Sequence, residues 1–222
     1  MKKILSLLLA ILMVAFAVAG CGTEKVENKV LTLSPYVDDG KEQPPVSYTG
    51  TFTGELKGGK PHGNGVFKFH NQNGTNVIYT GGFKDGKFDG AGILEYPSKK
   101  VVDTSFNFNI PFGREEANYK EGKYHGKLKR YTPDGKLYFE AEHKDGKFHG
   151  IVKVYNSKSG KLLGESEFKD GKANGKEKAY YETGQLKFDG ERKEGKRTEG
   201  TLYNKDGSIQ YQGKFVNGKP AR

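Results

Sequence analysis

Residues 77–96, VIYTGGFKDGKFDGAGILEY, place an Asp-Gly step between two runs that alternate large and small residues. Both positions of a two-residue hairpin loop need a positive φ angle, and an Asp-Gly step between alternating runs is the strongest short-range hairpin signal. The segment therefore predicts two antiparallel strands joined at Asp85-Gly86. Similar units recur along most of the chain, and this recurrence restricts the possible folds more than any other feature does.

Counting outward from the loop predicts the pairing of this hairpin. The expected pairs are Lys84 with Lys87, Phe83 with Phe88, Gly81 with Gly90, Tyr79 with Gly92, and Val77 with Leu94. Because side chains alternate between the two faces of a strand, these rings and glycines share one face. A large ring opposite a glycine can lie across the bare backbone, which predicts packing within a single sheet.

A turn glycine followed by lysine recurs from residue 48 onward, at Gly59, Gly86, Gly122, Gly146, Gly171, Gly195 and Gly218. The intervals are 27, 36, 24, 25, 24 and 23 residues, which is typical of a repeat array. A second set of turns joins the units, at Asp134-Gly135, Ser159-Gly160, Thr183-Gly184 and Asp206-Gly207. The pattern predicts an all-β fold, an elongated single-layer antiparallel sheet of tandem β-hairpins with some fourteen strands.

Two columns of small residues accompany the turn glycines. Five positions before them stand Gly54, Gly81, Ala117, Ala141, Ser166, Gly190 and Gly213, and four positions after them stand Gly63, Gly90, Gly126, Gly150 and Gly175. In the expected register the two columns face each other, so a groove of minimal side chains would cross one face. We interpret these glycines, together with Gly86 and Gly92, as structural residues that fix the register.

Composition agrees with a thin sheet. Hydrophobic residues make up 34% of the 222 residues, which is little for a thick core, while aromatic residues reach 12%, which is too many for a disordered chain.

The N-terminus indicates export. A positive start, Met1-Lys2-Lys3, precedes an apolar run too short for a spanning helix, so residues 1–20 predict a signal peptide. Val18-Ala19-Gly20-Cys21 resembles the lipobox of bacterial lipoproteins, in which the cysteine is diacylated and becomes the new N-terminus. The resemblance implies a lipid anchor on Cys21, the sole cysteine, and a membrane-attached protein on the extracytoplasmic side. The polar composition of residues 22–46 predicts a flexible tether.

The repeat units themselves resemble MORN repeats. Tyr79 to Gly92 and Phe52 to Gly65 are similar to that repeat, and later units such as Tyr138 to Tyr155 resemble its shorter bacterial variant, found in antitoxin-like proteins. The resemblance covers about residues 48–218 and implies a rod-like sheet with a role in attachment. We divide the chain into two MORN-type repeats at 47–96, an irregular insertion at 97–114 and shorter-variant repeats at 115–222. The sheet is expected to bend or bulge at the insertion and at residues 192–200, where Gly200 falls one place late.

Catalysis, cofactors and metals are not expected from this sequence. His62, His125 and His149 each precede a repeat glycine, but equivalent positions would lie about 9.6 Å apart, too far for shared zinc ligation. No nucleophile elbow or phosphate loop is present. After removal of residues 1–20 the net charge is +8, but lysines alternate with acidic residues, which indicates a solvated face and argues against nucleic acid.

The leading hypothesis is a non-catalytic surface lipoprotein that acts as a scaffold for protein–protein attachment. The aromatic rings are expected to cover the glycines and hold neighbouring hairpins together, but a one-layer sheet cannot hide this face completely, so part of it is expected to dock an unknown protein. The candidate binding face consists of Phe52, Tyr79, Phe83, Tyr119, Phe139, Phe168, Phe188, Tyr211 and Phe215. The alternatives are electrostatic binding of anionic lipid or polysaccharide, an antitoxin-like role, and self-association along exposed sheet edges.

Overall fold

The computed structural model describes residues 22–35, 46–71, 74–97, 102–103 and 110–221. The predicted signal peptide and Cys21 lie outside the described residues. Within the described ranges, no helix is long and apolar enough to cross a membrane.

The described residues form strands joined by short turns, which confirms the predicted fold class. The strands are β1 (Thr23–Leu33), β2 (Tyr48–Lys57), β3 (Lys60–His70), β4 (Asn76–Lys84), β5 (Lys87–Glu95), β6 (Val102–Asp103), β7 (Ile110–Pro111), β8 (Arg114–Lys120), β9 (Lys123–Tyr131), β10 (Leu137–Lys144), β11 (Lys147–Phe148), β12 (Gly150–Tyr155), β13 (Leu162–Lys169), β14 (Lys172–Tyr180), β15 (Leu186–Lys193), β16 (Lys196–Tyr203), β17 (Ile209–Val216) and β18 (Lys219–Pro220).

In the described part of the chain, sixteen strands build one open antiparallel sheet in sequence order, and β6 and β7 form a separate pair. Each hairpin turn has the predicted backbone: in the β4–β5 loop, φ is 52° at Asp85 and 83° at Gly86. Equivalent positive angles recur at the other six turns. The hairpin prediction at these steps is confirmed.

The predicted register holds only next to each turn. In β4–β5 the pairs Lys84–Lys87 and Phe83–Phe88 are present, but Gly81 then pairs with Gly92 and Tyr79 with Leu94. The predicted pairs Gly81–Gly90 and Tyr79–Gly92 are wrong, because Gly90 has φ of 89° and cannot continue an extended strand. Two extra residues on the β5 side therefore form a bulge.

This bulge recurs in other hairpins, so the two columns of small residues do not face each other. Gly63, Gly90, Gly126, Gly150 and Gly175 face the next hairpin's Phe83, Tyr119, His143, Phe168 and Arg192 instead. The residues five positions before the turn glycines pair with Gly65, Gly92 and Gly200 towards the two ends of the sheet. In the middle of the sheet their partners are Leu128, Val152 and Glu177. A continuous groove of minimal side chains is therefore absent from the described sheet.

The tether prediction is wrong for the stretch that forms β1. Thr23 to Leu33 pairs with β2, from Thr23 opposite Lys57 to Leu33 opposite Tyr48. The inward-facing side chains of Val26, Leu31 and Leu33 pack on the core, and the rest of the strand is largely exposed. An edge strand needs only one apolar face, so its polar composition resembles that of a tether.

Of the two sites expected to be irregular, the one at the insertion has a regular register, and the one at residues 192–200 carries the expected bulge. Strand β5 pairs directly with β8 without a register shift, so the sheet continues past the insertion, and β6 and β7 pair within it. At the sixth hairpin Gly200 pairs with both Gly190 and Gly213. It therefore occupies the row of Gly65 and Gly92. The bulge in its hairpin contains one extra residue, whereas the bulge in the β4–β5 hairpin contains two.

The core lies on one face of the single sheet, where aromatic rings cover glycine backbone. The rings of Tyr79 and Phe88 stack with centroids 3.5 Å apart, and Phe83 meets Tyr79 edge-on at 5.1 Å. A Cβ atom on Gly92 would lie 2.4 Å from the Tyr79 ring. Glycine at this position is required because any side chain would occupy the volume of the ring.

Candidate binding surface along the hairpin edge

The predicted aromatic binding face is mostly the core of the protein. Among the described residues, Phe52, Tyr79, Phe83, Tyr119, Phe139, Phe188 and Phe215 are buried, and only Phe168 and Tyr211 are half-buried. Seven of the nine candidate rings therefore pack against neighbouring hairpins and offer no docking surface.

Successive hairpin turns are instead stacked along one long edge of the sheet. The Gly86 amide donates a hydrogen bond to the Pro61 carbonyl over 3.0 Å, and the Gly122 amide donates to the Phe88 carbonyl over 2.8 Å. The same bond recurs at the next three turns, from Gly146, Gly171 and Gly195 to the carbonyls of Tyr124, Phe148 and Ala173. The second to sixth turns are thereby each fixed to the preceding one.

Side chains before the bulge glycines add a second contact between turns. Asp89 Oδ2 accepts a hydrogen bond from the Glu121 amide at 2.9 Å. In the following hairpins His125 Nδ1 lies 3.3 Å from Asp145 Oδ1, and His149 Nδ1 lies 3.5 Å from Asp170 Oδ1. The two histidines therefore contact the next turn, and the described residues hold no acidic, histidine or cysteine cluster suited to a metal ion.

This stacking gathers thirteen lysines that flank the hairpin turns, and we call this row the lysine edge. It consists of Lys57, Lys60, Lys84, Lys87, Lys120, Lys123, Lys144, Lys147, Lys169, Lys172, Lys193, Lys196 and Lys219, all of them exposed. Five acidic turn residues lie between them, namely Asp85, Glu121, Asp145, Asp170 and Glu194, which leaves a surplus of eight positive charges. Neighbouring strands are about 4.8 Å apart, so the lysine pairs repeat about every 10 Å.

The lysines of each pair stand directly opposite one another, as in Lys84–Lys87 and Lys120–Lys123. Like charges directly opposite across a strand pair are destabilising. Six of the seven turns carry this pairing, which makes the lysine edge an unfavourable arrangement for folding alone.

Charges on the exposed face of the sheet behave differently, because they alternate in sign from strand to strand. One row across β8 to β15 consists of Glu116, Lys129, Glu140, Lys153, Glu165, Lys178 and Asp189. Lys129 and Glu140 are 3.2 Å apart, and Lys178 and Asp189 are 3.6 Å apart. This row has four acidic and three basic residues, so it adds nothing to the positive surplus of the lysine edge.

Two carboxylates are buried on the core face, each engaged by arginine. Glu115 accepts hydrogen bonds from Tyr124 Oη at 2.6 Å and Arg130 Nε at 2.9 Å. Burial and the negative charge of Glu115 raise the pKa of Tyr124. Glu115 stands where most other units have an aromatic residue, and no feature of the sequence indicates this network.

Glu177 is shared by two arginines. Arg192 Nε lies 2.7 Å from its Oε2, and Arg197 Nη2 lies 2.9 Å from its Oε1. Burial alone would raise the pKa of Glu177, but the hydrogen bonds from Arg197 and Arg192 outweigh burial and hold it below its usual value. The signal available in the sequence was Arg192 in a column otherwise rich in aromatic residues.

His143 is buried beside Phe148, and the two ring centroids are 4.5 Å apart. Burial, with a smaller contribution from the Arg130 charge, lowers the pKa of His143 to about 4. The imidazole is therefore neutral at physiological pH and serves as a packing group in the aromatic row.

These features define a class of protein in which tandem hairpins form one sheet with its core on one face. The MORN repeat matches residues 52–74, 79–101 and 211–221, and the MORN repeat variant matches residues 124–145 and 173–194. The chain therefore contains MORN-type repeats at these positions. The match at 211–221 is to the MORN repeat itself, although that range was expected to carry only the variant. No curated protein matches the chain.

Proposed function

We propose that this chain is a non-catalytic repeat scaffold, exported and anchored through a lipid on Cys21, that binds an anionic surface or polymer along its lysine edge. One observation carries the proposal: thirteen exposed lysines stand in one row with a surplus of eight positive charges, and twelve of them flank the six hydrogen-bonded turns. A regular row of this kind gives many weak contacts that act together, which suits an extended anionic ligand.

The absence of catalysis is part of the proposal. Three strongly perturbed groups, His143, Tyr119 and Tyr124, are packed against core rings. Glu115 and Glu177 are each held by arginine. Perturbed groups at active sites normally face a cleft, whereas these groups contact one another.

Protein attachment is a second candidate, on a different surface from the buried rings. The exposed face of β2 to β5 carries an uncharged row of Thr53, Val66, Thr80 and Ile93, which lie opposite one another on consecutive strands. A protein partner would find this strip accessible, and its binding would be insensitive to salt. The antitoxin-like role rests on the family resemblance alone.

The proposed function is tested with the chain from Gly22 onward, which contains every described strand. Its binding to phosphatidylglycerol vesicles is measured by co-sedimentation at rising salt. A lysine near an anionic membrane contributes about 1 kcal/mol. Replacing Lys120, Lys123, Lys144 and Lys147 by glutamine is therefore expected to weaken binding by at least about tenfold.

The matched control replaces four exposed lysines at the turns of the opposite edge by glutamine, namely Lys136, Lys158, Lys161 and Lys205. Both variants lose four positive charges, so a general effect of net charge would weaken them equally. The proposal is wrong if the two variants bind alike, or if binding to anionic vesicles does not fall as salt rises.

A further inference from the structure

The path of β1 places the predicted anchor at the lysine edge. Thr23, the first residue of β1, pairs with Lys57 beside the first hairpin turn. Cys21 precedes Thr23 by only two residues, and two residues of chain reach no further than about 7 Å from the Thr23 Cα atom. Gly22 lies between them and is exposed. A Cβ atom added to Gly22 would have no atom within 4 Å apart from its chain neighbours.

No long tether therefore separates the anchor from the sheet. Residues 36–45, which carry the Pro44-Pro45 step of the predicted tether, fall between β1 and β2 and not between Cys21 and the sheet. A lipid on Cys21 would hold the first turn of the lysine edge directly at the membrane surface.

We propose that the protein stands on its lysine edge, on the same anionic bilayer that holds the lipid of Cys21. This inference rests on the proposed function and names the ligand of the lysine edge as that bilayer. Strands of eight to eleven residues would then rise about 25 to 35 Å from the surface. The second set of turns, including Gly135 and Gly160, would point away from the membrane.

The distribution of charge favours the bilayer over a free anionic polymer. The anchor fixes only the first strand, and about fifteen strands at about 4.8 Å extend the sheet some 65 to 70 Å from it. Lysines continue along this whole length, from Lys57 to Lys219. A free polymer would not require them on the side from which the anchor emerges, whereas a lipid and a basic patch on one side are the two signals of stable attachment.

Strand β17 offers a test of this orientation, because both of its ends carry exposed aliphatic residues. Val216 lies at the lysine edge, opposite Lys219, and is 62% exposed. Ile209 begins the same strand at the opposite edge and is 58% exposed. The two positions are seven residue steps apart along the strand, which separates them by about 23 Å.

The chain contains no tryptophan and one cysteine, so both labels can be placed uniquely. The mature chain starting at Cys21 is joined through its thiol to a maleimide lipid and reconstituted in phosphatidylglycerol or phosphatidylcholine vesicles. Val216→Trp and Ile209→Trp variants are compared by quenching from headgroup spin-labelled lipids. We expect several-fold stronger quenching for V216W than for I209W in anionic vesicles, and loss of this difference in neutral vesicles or high salt.

Equal quenching at both positions, or stronger quenching of I209W, would overturn the orientation. The same holds if the difference between the variants does not depend on anionic lipid. If the chain from Gly22 still binds anionic vesicles or polyphosphate in that case, the proposed function stands and only the orientation is wrong. If it binds no anionic ligand, both proposals are wrong.

Discussion

Glu177 provides a stringent test of how the core face is held together, because one carboxylate serves two arginines. Arg192 and Arg197 occupy positions that hold Phe83 and Phe88 in the second hairpin, at the same distances from their turn glycines. Leu128 occupies the position of Glu177 in the third. The perturbation is Glu177→Gln, which keeps the side-chain size and one oxygen but removes the negative charge.

The magnitude follows from burial. Removing one partner of a fully buried ion pair costs about 3 to 5 kcal/mol. The side chain of Glu177 is 6% exposed, but those of Arg192 and Arg197 are 30% and 24% exposed, so water partly solvates the remaining charges. We therefore expect a loss of about 2 to 3 kcal/mol in the local free energy of unfolding.

Hydrogen exchange measured by mass spectrometry is the appropriate assay, because repeat arrays can unfold locally. Faster exchange is expected in β13 to β17 and not in β2 to β5. The control is Glu165→Gln on the exposed face, whose ion pair with Lys153 spans 3.9 Å. That change should cost less than about 1 kcal/mol. Equal effects of the two variants would refute the reasoning.

The pH dependence of stability provides a separate test of the stabilising effect of the Glu177 charge. The pKa of Glu177 is lowered in the folded protein, so its stabilisation is complete above the unfolded value of about 4.3 and is lost as pH falls through the folded value. Wild type and E177Q should therefore converge in acid. A difference that grows towards acid would contradict this account. The triple change Glu177→Leu, Arg192→Phe and Arg197→Phe should be neutral or stabilising by about 1 to 4 kcal/mol.

Three further changes test the packing of the core. Gly92→Ala would place a Cβ 2.4 Å from the Tyr79 ring and should cost about 1 to 3 kcal/mol in urea unfolding, whereas Gly22→Ala, with open space around it, should cost nothing. Tyr79→Phe removes the hydroxyl hydrogen bond to the Gly82 carbonyl, 3.0 Å long, and should cost about 1 kcal/mol. The His143 imidazole should titrate near pH 4 by NMR, so its contribution to stability is intact above about pH 6.5 and lost as pH falls to 4.

Much of the local structure was predictable because it depends on residues close in sequence. An Asp-Gly step requires two positive φ angles, and Asp85 and Gly86 have them. Seven such turns in succession allow little other than a meander of hairpins. The MORN resemblance followed from the same residues and is confirmed by the repeat matches.

The candidate site was predicted poorly, because burial depends on neighbours distant in sequence. Phe52 lies 5.1 Å from Phe83 and is fully buried, because rings from successive hairpins cover one another on the single sheet. The composition of β1 predicts a tether, because its polar side chains are recognisable as the solvent-facing side of a strand only once β1 is paired with β2. In the sequence the lysines belong to alternating charge runs. They form one row only because the turns stack, and this stacking is not visible in the sequence.

The sequence by itself determined the repeating hairpin, its turns and the all-β class, because turn geometry is a property of two adjacent residues. Only the tertiary structure decided the bulged register, since the φ angle of a glycine such as Gly90 depends on the strands beside it. It also decided the lysine edge, because hydrogen bonds between successive turns, such as Gly146 to Tyr124, align charges that are 24 residues apart in the chain.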